Sequence, residues 1–267
     1  DGGDLAGHHL QLLAALLAAH LVDVELARRV VHVHGAHLRD MVAREAWPFR
    51  IERWLAHAHA SIEHTLDADD DAATLRRRLP PLVAPITRSR AEVLRAHALP
   101  PGARVLACYL NPHYRDLSIA DDIDASAARA GLHVVGVGEA FAGSRAGWCA
   151  TDAAFIDVVA HADVFVSGAG MGALEQARVT GTPLVCLLGD QREQRDNAAA
   201  RGLDVVDVHD AERAHAIAAS IEAARTRPRT TVDGAAEVER VRALWKSVLL
   251  TLLHEPKGER RSPWLQE

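Results

Sequence analysis

Residues 164–197 read VFVSGAGMGALEQARVTGTPLVCLLGDQREQRDN. A short apolar, β-branched run is followed by glycines at every second position, Gly168, Gly170 and Gly172. A segment of helical period comes next, stops at Gly181 and leads into a second apolar run. Strand, glycine turn, helix, glycine stop and strand make one βαβ unit, and near-continuous apolar strands belong to a parallel sheet covered on both faces. The turn also has a chemical meaning. Backbone N–H groups at a helix start, with the positive end of the helix dipole, favour an anion, and glycine removes the Cβ that would keep it away. The same glycines equally serve a tight turn or close helix–sheet packing.

Outward from this unit the alternation runs from 103 to 225. Apolar runs ARVLACYL, HVVGVG, DVFVS, PLVCLL and DVVDV are separated by helical patterns over 117–130, 152–160, 172–180, 191–201 and 211–224. Gly131, Gly181 and Gly202 each fall just after a helical run and before a strand, as helix stops do. The expectation is an α/β protein: five β/α units in a doubly wound, Rossmann-like parallel-sheet domain over 100–229, with ligands beyond the carboxyl ends of its strands.

The flanks read differently. Residues 1–99 show one convincing strand, RRVVHVHG, among helical patterns, so a smaller, helix-rich and incomplete amino-terminal domain with its linker is expected there. The linker is marked by DADDD and RRRLPPLVAP, then by the helix SRAEVLRAHAL. Residues 230–267 read as a carboxy-terminal amphipathic helix packing back across the junction.

Composition excludes several classes. With 267 residues, 49% hydrophobic, 25% charged and a formal charge of -6, the chain has the make-up of an ordinary soluble protein. Basic residues are scattered rather than striped, so no nucleic-acid partner is expected. LLAALLAA is far short of the roughly 20 residues a bilayer span requires. The 3 cysteines cannot form a disulfide framework, and Cys108 and Cys186 sit inside apolar runs, which points to a reduced, cytoplasmic setting. The opening DGGD, without Met or a basic n-region, reads as the interior of a longer chain.

The ligand class depends on what surrounds the glycines. Gly168, Gly170 and Ala173 satisfy G-x-G-x-x-A and Asp190 ends the next strand, as a dinucleotide fingerprint requires. That fingerprint belongs to the first strand of its unit, whereas two strands precede this one. The competing reading uses the residues that follow: Glu175, one turn beyond the glycines, suits the paired hydroxyls of a ribose. Gln191, Gln194 and Asn197, around the next helix start, bring amides that can read sugar hydroxyls or phosphate oxygens. The loop NPHYRD adds His113 and Arg115 as charge-assisted donors for a diphosphate, or else is a solvated turn.

Residues 163–202 resemble the donor-binding signature of nucleotide-sugar glycosyltransferases of the GT-B fold, as in the lipid II-forming N-acetylglucosaminyltransferases and the UDP-glycosyltransferases. The likeness extends loosely to 100–116 and leaves 1–90 unmatched. It implies a cytoplasmic glycosyltransferase moving a sugar from an NDP-sugar, in particular a UDP-sugar, to an acceptor hydroxyl, with no resident metal and no cofactor. It places the diphosphate on Gly168, Ala169, Gly170, Met171 and Gly172 and near Asn111, His113 and Arg115. The ribose falls on Glu175 and the sugar on Asp190, Gln191, Gln194 and Asn197. Counted back from Gly181, the family's acid falls on Gln176, so the Glu175/Gln176 register stays open. NDP-sugar 2-epimerases or hydrolases share the fold, and a non-catalytic nucleotide-sugar-binding module is a further alternative. The acceptor-activating base is unassigned; His8 and His9, opening a helix in the amino-terminal part, are its candidates. The pairs His32/His34 and His57/His59 lack a third ligand and read as incidental.

Overall fold

A computed structural model describes residues 31–35, 60–64 and 76–254. In chain order its elements are strands β1 (Val31–Gly35), β2 (Ala60–His64) and β3 (Arg76–Leu79), helix α1 (Arg90–Ala96), β4 (Val105–Tyr109), α2 (Leu117–Arg129), β5 (His133–Val137), β6 (Trp148–Cys149) and α3 (Phe155–His161). There follow β7 (Val164–Gly168), α4 (Met171–Thr180), β8 (Leu184–Leu188), α5 (Arg192–Ala200), β9 (Val205–Asp207), α6 (Arg213–Thr226) and α7 (Gly234–His254). The chain divides into two compact units, one formed by Asp1–Pro81 with Arg240–Glu267, the other by Leu82–Glu239.

In the second unit the strands form one six-stranded parallel sheet of order β6-β5-β4-β7-β8-β9. Alternation along each strand sends side chains to two separate cores. On one face Leu106, Cys108, Val164, Val166, Val185 and Leu187 pack under Ile119 and Ile123 of α2 and Ile217 and Ile221 of α6. On the other, Val105, Ala107, Val135 and Phe165 pack under Val93 of α1, Val158 and Val159 of α3 and Ala173 of α4. This is the doubly wound α/β sheet that the apolar runs announce. Burial pushes the Cys186 thiol up to about 12, as befits a cysteine used for packing.

Two features of this unit escape the sequence pattern. Strand β6 is only two residues long, too short for a period, and is held by pairing with Gly136 and Val137 and by the Trp148 indole donating to Asp124 at 3.1 Å. Residues 82–89, which read as linker, belong to this unit because the Asp157 carboxylate holds them. It accepts from the Thr87 and Arg88 backbone N–H groups at 2.7 and 3.2 Å, from Thr87 Oγ1 at 3.2 Å and from Arg88 Nε at 3.1 Å. Helix α4 stops at Gly181 in the left-handed region, φ 65°. A Cβ there would meet Thr230 O at 2.2 Å, so glycine is required twice over.

In the first unit the described strands correct the sequence reading. Three strands stand where the pattern shows one, in a parallel sheet of order β1-β2-β3. ASIEH alternates too briefly to stand out from the surrounding helical pattern and RRRL does not alternate, so they read as helix and solvated connection; parallel pairing of β2 with β1 and of β3 with β2 makes them strands. Trp245 of α7 is buried in this unit and donates its indole N–H to Pro80 O at 2.7 Å. The helical patterns expected over 1–30 and 36–59 lie outside the described residues. No helix among the described residues is long and apolar enough to cross a membrane.

Replacing Asp157 by Ala leaves four donors without their acceptor at a side chain only 1% exposed. Urea unfolding of Asp157→Ala is expected to show a loss of about 3 kcal/mol with an unchanged denaturant slope. A loss under about 1 kcal/mol would show that water replaces the carboxylate.

Candidate functional site

Strands β4 and β7 are neighbours, with Tyr109 opposite Ser167. From β4 the chain winds through α2 to β5 on one side; from β7 it winds through α4 to β8 on the other. The two connections leave the shared carboxyl edge in opposite directions and open a crevice between them. Such reversal points are where open α/β sheets bind ligands. The loop over 110–116, the turn 169–170 and residues 189–191 follow the carboxyl ends of β4, β7 and β8 and border the crevice.

The three glycines do different things. At Gly168 a Cβ would lie 2.4 Å from Gln194 Oε1 and 2.8 Å from the Tyr114 hydroxyl, so its lack of a side chain is a packing requirement. At Gly170 and Gly172 an added Cβ would meet nothing within 4 Å among the described residues. Neither has positive φ. Packing and conformation therefore explain the first glycine only. Gly170 is the N-cap of α4, with no side-chain capping bond and no acidic residue in the first turn. The N–H groups and dipole of this ten-residue helix thus end in an open, uncharged cap.

Beneath the turn lies a layer of buried hydrogen bonds. Tyr114, 4% exposed, places its hydroxyl 3.0 Å from Leu187 O and 3.0 Å from Gln194 Oε1. Gln194 Nε2 donates to Gln191 Oε1, which also accepts from Asn111 Nδ2 at 3.0 Å. Asn197 Nδ2 donates to Ala169 O at 2.9 Å, tying α5 to the glycine turn. Burial pushes the Tyr114 phenol up, so its proton is retained.

The structure thus brings together Asn111, Gly168, Ala169, Gly170, Gln191, Gln194 and Asn197, in part differently from the sequence reading. Gln194 and Asn197, at 4% and 7% exposure, are occupied by the protein and do not face the crevice. Gln191 and Asn111 are half-buried at its edge, as is Met171, and Gly172 is exposed. His113 and Arg115 are exposed on the β4 loop; Arg115 Nε donates to Pro112 O at 3.2 Å, and among the described residues neither side chain has an acidic partner. By contrast Arg213 pairs with Asp116 and Asp122, and Arg195 with Asp207. Asp190 is out in solvent, its side chain 88% exposed, 3.0 Å from His209 Nε2. His8 and His9 lie outside the described residues.

The reading of Glu175 as an acceptor for a ribose needs correction. Its side chain is fully buried and both oxygens are taken by Arg178, Nε at 2.8 Å and Nη2 at 2.7 Å. Arg178 in turn donates to Glu237 of α7 at 2.5 Å, and these bonds raise its already high pKa. A carboxylate on the buried side of α4 must be neutralised there, so Glu175 is not presented to the crevice. Gln176, the other register, is half-buried, and its side chain makes no hydrogen bond among the described residues. Tyr114 is the residue the sequence reading passed over. Its only signal is an aromatic ring in a polar loop, with no partner visible nearby in the chain.

No protein-family model and no curated protein matches the chain. Solved structures do. The chain is similar to the glycotransferase of kitacinnamycin, 17% identical with a TM-score of 0.51, over 83% of this chain and 67% of that one. It is also similar to Arabidopsis thaliana UGT89C1 complexed with quercetin, 11% identical with a TM-score of 0.54, over 84% of this chain and 65% of that one. At such identities the likeness establishes the fold, that of the GT-B glycosyltransferases. The chain spans about two thirds of the length of these two structures.

Glu175→Gln is expected to destabilise the protein by about 2 kcal/mol, because it leaves Arg178 short of charge at a site that is dry on one side. The midpoint of urea unfolding reads this directly. Unchanged stability combined with lost nucleotide affinity would return Glu175 to the ligand.

Proposed function

We propose that the chain is a glycosyltransferase that holds an NDP-sugar, in particular a UDP-sugar, in the crevice between β4 and β7 and transfers its sugar to an acceptor hydroxyl. The observation that carries this reading is the open cap of α4 at the reversal point, where none of the described residues gives Gly170 or Gly172 a packing reason to be glycine. An approaching diphosphate supplies the missing reason. It would accept from the first N–H groups of α4 on one side and from Arg115 and His113, which have no acidic partner among the described residues, on the other. Asn111 and Gln191 border the same edge, where amide groups suit sugar hydroxyls. The likeness of fold to glycosyltransferases supports the same conclusion.

In the reaction the acceptor oxygen forms a bond to the anomeric carbon while the bond to the diphosphate oxygen breaks. The acceptor proton goes to a base, for which His8 and His9 remain candidates. Negative charge grows on the leaving diphosphate, and a preorganised helix start and cation answer it without reorganisation. Transfer is accordingly expected to persist in the presence of a chelator. An acceptor-dependent release of UDP measures the activity; turnover of donor alone would assign an epimerase or hydrolase, and binding without turnover a nucleotide-sugar-binding module.

Gly172→Leu separates binding from stability. Because Cβ has free space and leucine is the better helix former, the variant should be as stable as the parent or more stable by roughly 0.5 kcal/mol. Its UDP affinity by calorimetry should fall at least about tenfold, since the side chain stands in the diphosphate's place. Full affinity in a folded Gly172→Leu protein would remove the diphosphate from α4.

A further inference from the structure

An amide side chain offers an acceptor on one side and two donors on the other, and its neighbours decide which faces where. Around the crevice that decision begins at a backbone group that cannot reverse. The His113 N–H donates to Asn111 Oδ1 at 3.1 Å, so Asn111 turns Nδ2 toward Gln191. Gln191 must answer with Oε1, and the same oxygen receives Gln194 Nε2. Gln194 is left with Oε1 toward Tyr114, whose hydroxyl proton it shares with Leu187 O, each acceptor 3.0 Å away. Every member of the chain then has one consistent direction. Gln191 Oε1 is doubly satisfied, while Gln191 Nε2 has no partner among the described residues and is left for the crevice.

We propose that Tyr114 is a positioning residue of the donor crevice, which through Gln194 supplies the second of the two bonds that hold Gln191 Oε1 inward and so turn its amide N–H groups to an acceptor oxygen of the ligand. The proposal deepens the donor-site reading above and rests on it. Tyr114 and Gln194 are each 4% exposed and act only through Gln191. The hydroxyl has a second acceptor in Leu187 O at the end of β8, which anchors it to the sheet. Without the hydroxyl, Gln194 loses the donor that holds its Oε1 and can turn that oxygen toward Gln191, so that Gln191 Oε1 keeps only the bond from Asn111. Gln191 is then held by one bond instead of two, and its N–H groups are presented to a diphosphate or sugar oxygen with less of their orientation fixed.

Two measurements test this. In the ligand-free protein, solvent exchange of side-chain amide protons by NMR should be fast for Gln191 and slow for Gln194. Tyr114→Phe, which keeps the ring and its packing, should speed exchange at Gln194. Protected Gln191 amide protons in the parent, or unchanged Gln194 exchange in the variant, would overturn the relay whatever the ligand. The second measurement is a double-mutant cycle on affinity. Tyr114→Phe should weaken UDP or UDP-sugar binding about five- to tenfold, the worth of one oriented hydrogen bond. In a Gln191→Ala background it should change affinity less than about twofold. Loss with both UDP and UDP-sugar assigns Gln191 to the diphosphate; loss with UDP-sugar alone assigns it to the sugar. Additive effects would overturn action through Gln191. If the parent binds neither compound, the donor-site reading falls and takes the ligand half of the proposal with it, while the exchange data still decide the relay.

Discussion

The side-by-side placement of β4 and β7, with connections that wind away from each other, is the constraint on which the rest of the second unit depends. Parallel strands need crossovers, and crossovers of one hand place α2 on one face and α4 on the other. The carboxyl edge between them is therefore the one place where neither connection covers the sheet. Backbone polar groups at strand ends and helix starts collect there. A ligand with many acceptor oxygens is what such an edge accommodates.

Holding that edge open has structural consequences. Leu110 and Tyr114 seat the loop after β4 in the hydrophobic core, and buried polar contacts tie that loop and the turn after β7 to α5. Tyr114, Gln194, Gln191 and Asn111 link the β4 loop to α5, while Asn197 links α5 to the glycine turn. Buried polar groups are costly when unpaired and rigidifying when fully paired. The Glu175, Arg178 and Glu237 contacts do the same on the far side of α4, fixing the helix against the start of α7. Packing of Ile156, Val179 and Val238 completes that attachment. The open end of α4 thus stands on a helix immobilised along its length.

Much of the fold was legible in the chain. The five strands of the apolar runs, the helices between them and the stops at Gly131, Gly181 and Gly202 follow from local period and from glycine conformation, which need no knowledge of the partner strand. What the pattern missed shares one property. Strands β2, β3 and β6 owe their state to pairing, not to apolar alternation, and a two-residue strand or an arginine run has no periodic signal. The site was legible in outline: the glycine turn, the β4 loop and the amide-rich helix start do converge. The roles within it were not. Gln194 and Asn197 have the chemistry of ligand readers, and nothing local distinguishes a buried amide from an exposed one. Glu175 lies on the inner face of α4 because of the helix phase set by Gly170 as N-cap, a shift of one residue that reverses which side chain meets solvent.

The sequence by itself determined the class of the sheet, the place of the glycine turn within it and the residue types gathered there, since all three are consequences of short-range period and composition. Only the tertiary structure decided which glycine is needed for packing and which two are left open. It alone joined Arg178 to Glu237 and set Tyr114 beneath the amides. The physical reason is distance along the chain: Tyr114 and Gln194 are 80 positions apart. Hydrogen-bond direction between such partners is fixed by the geometry of the fold that brings them to 3.0 Å.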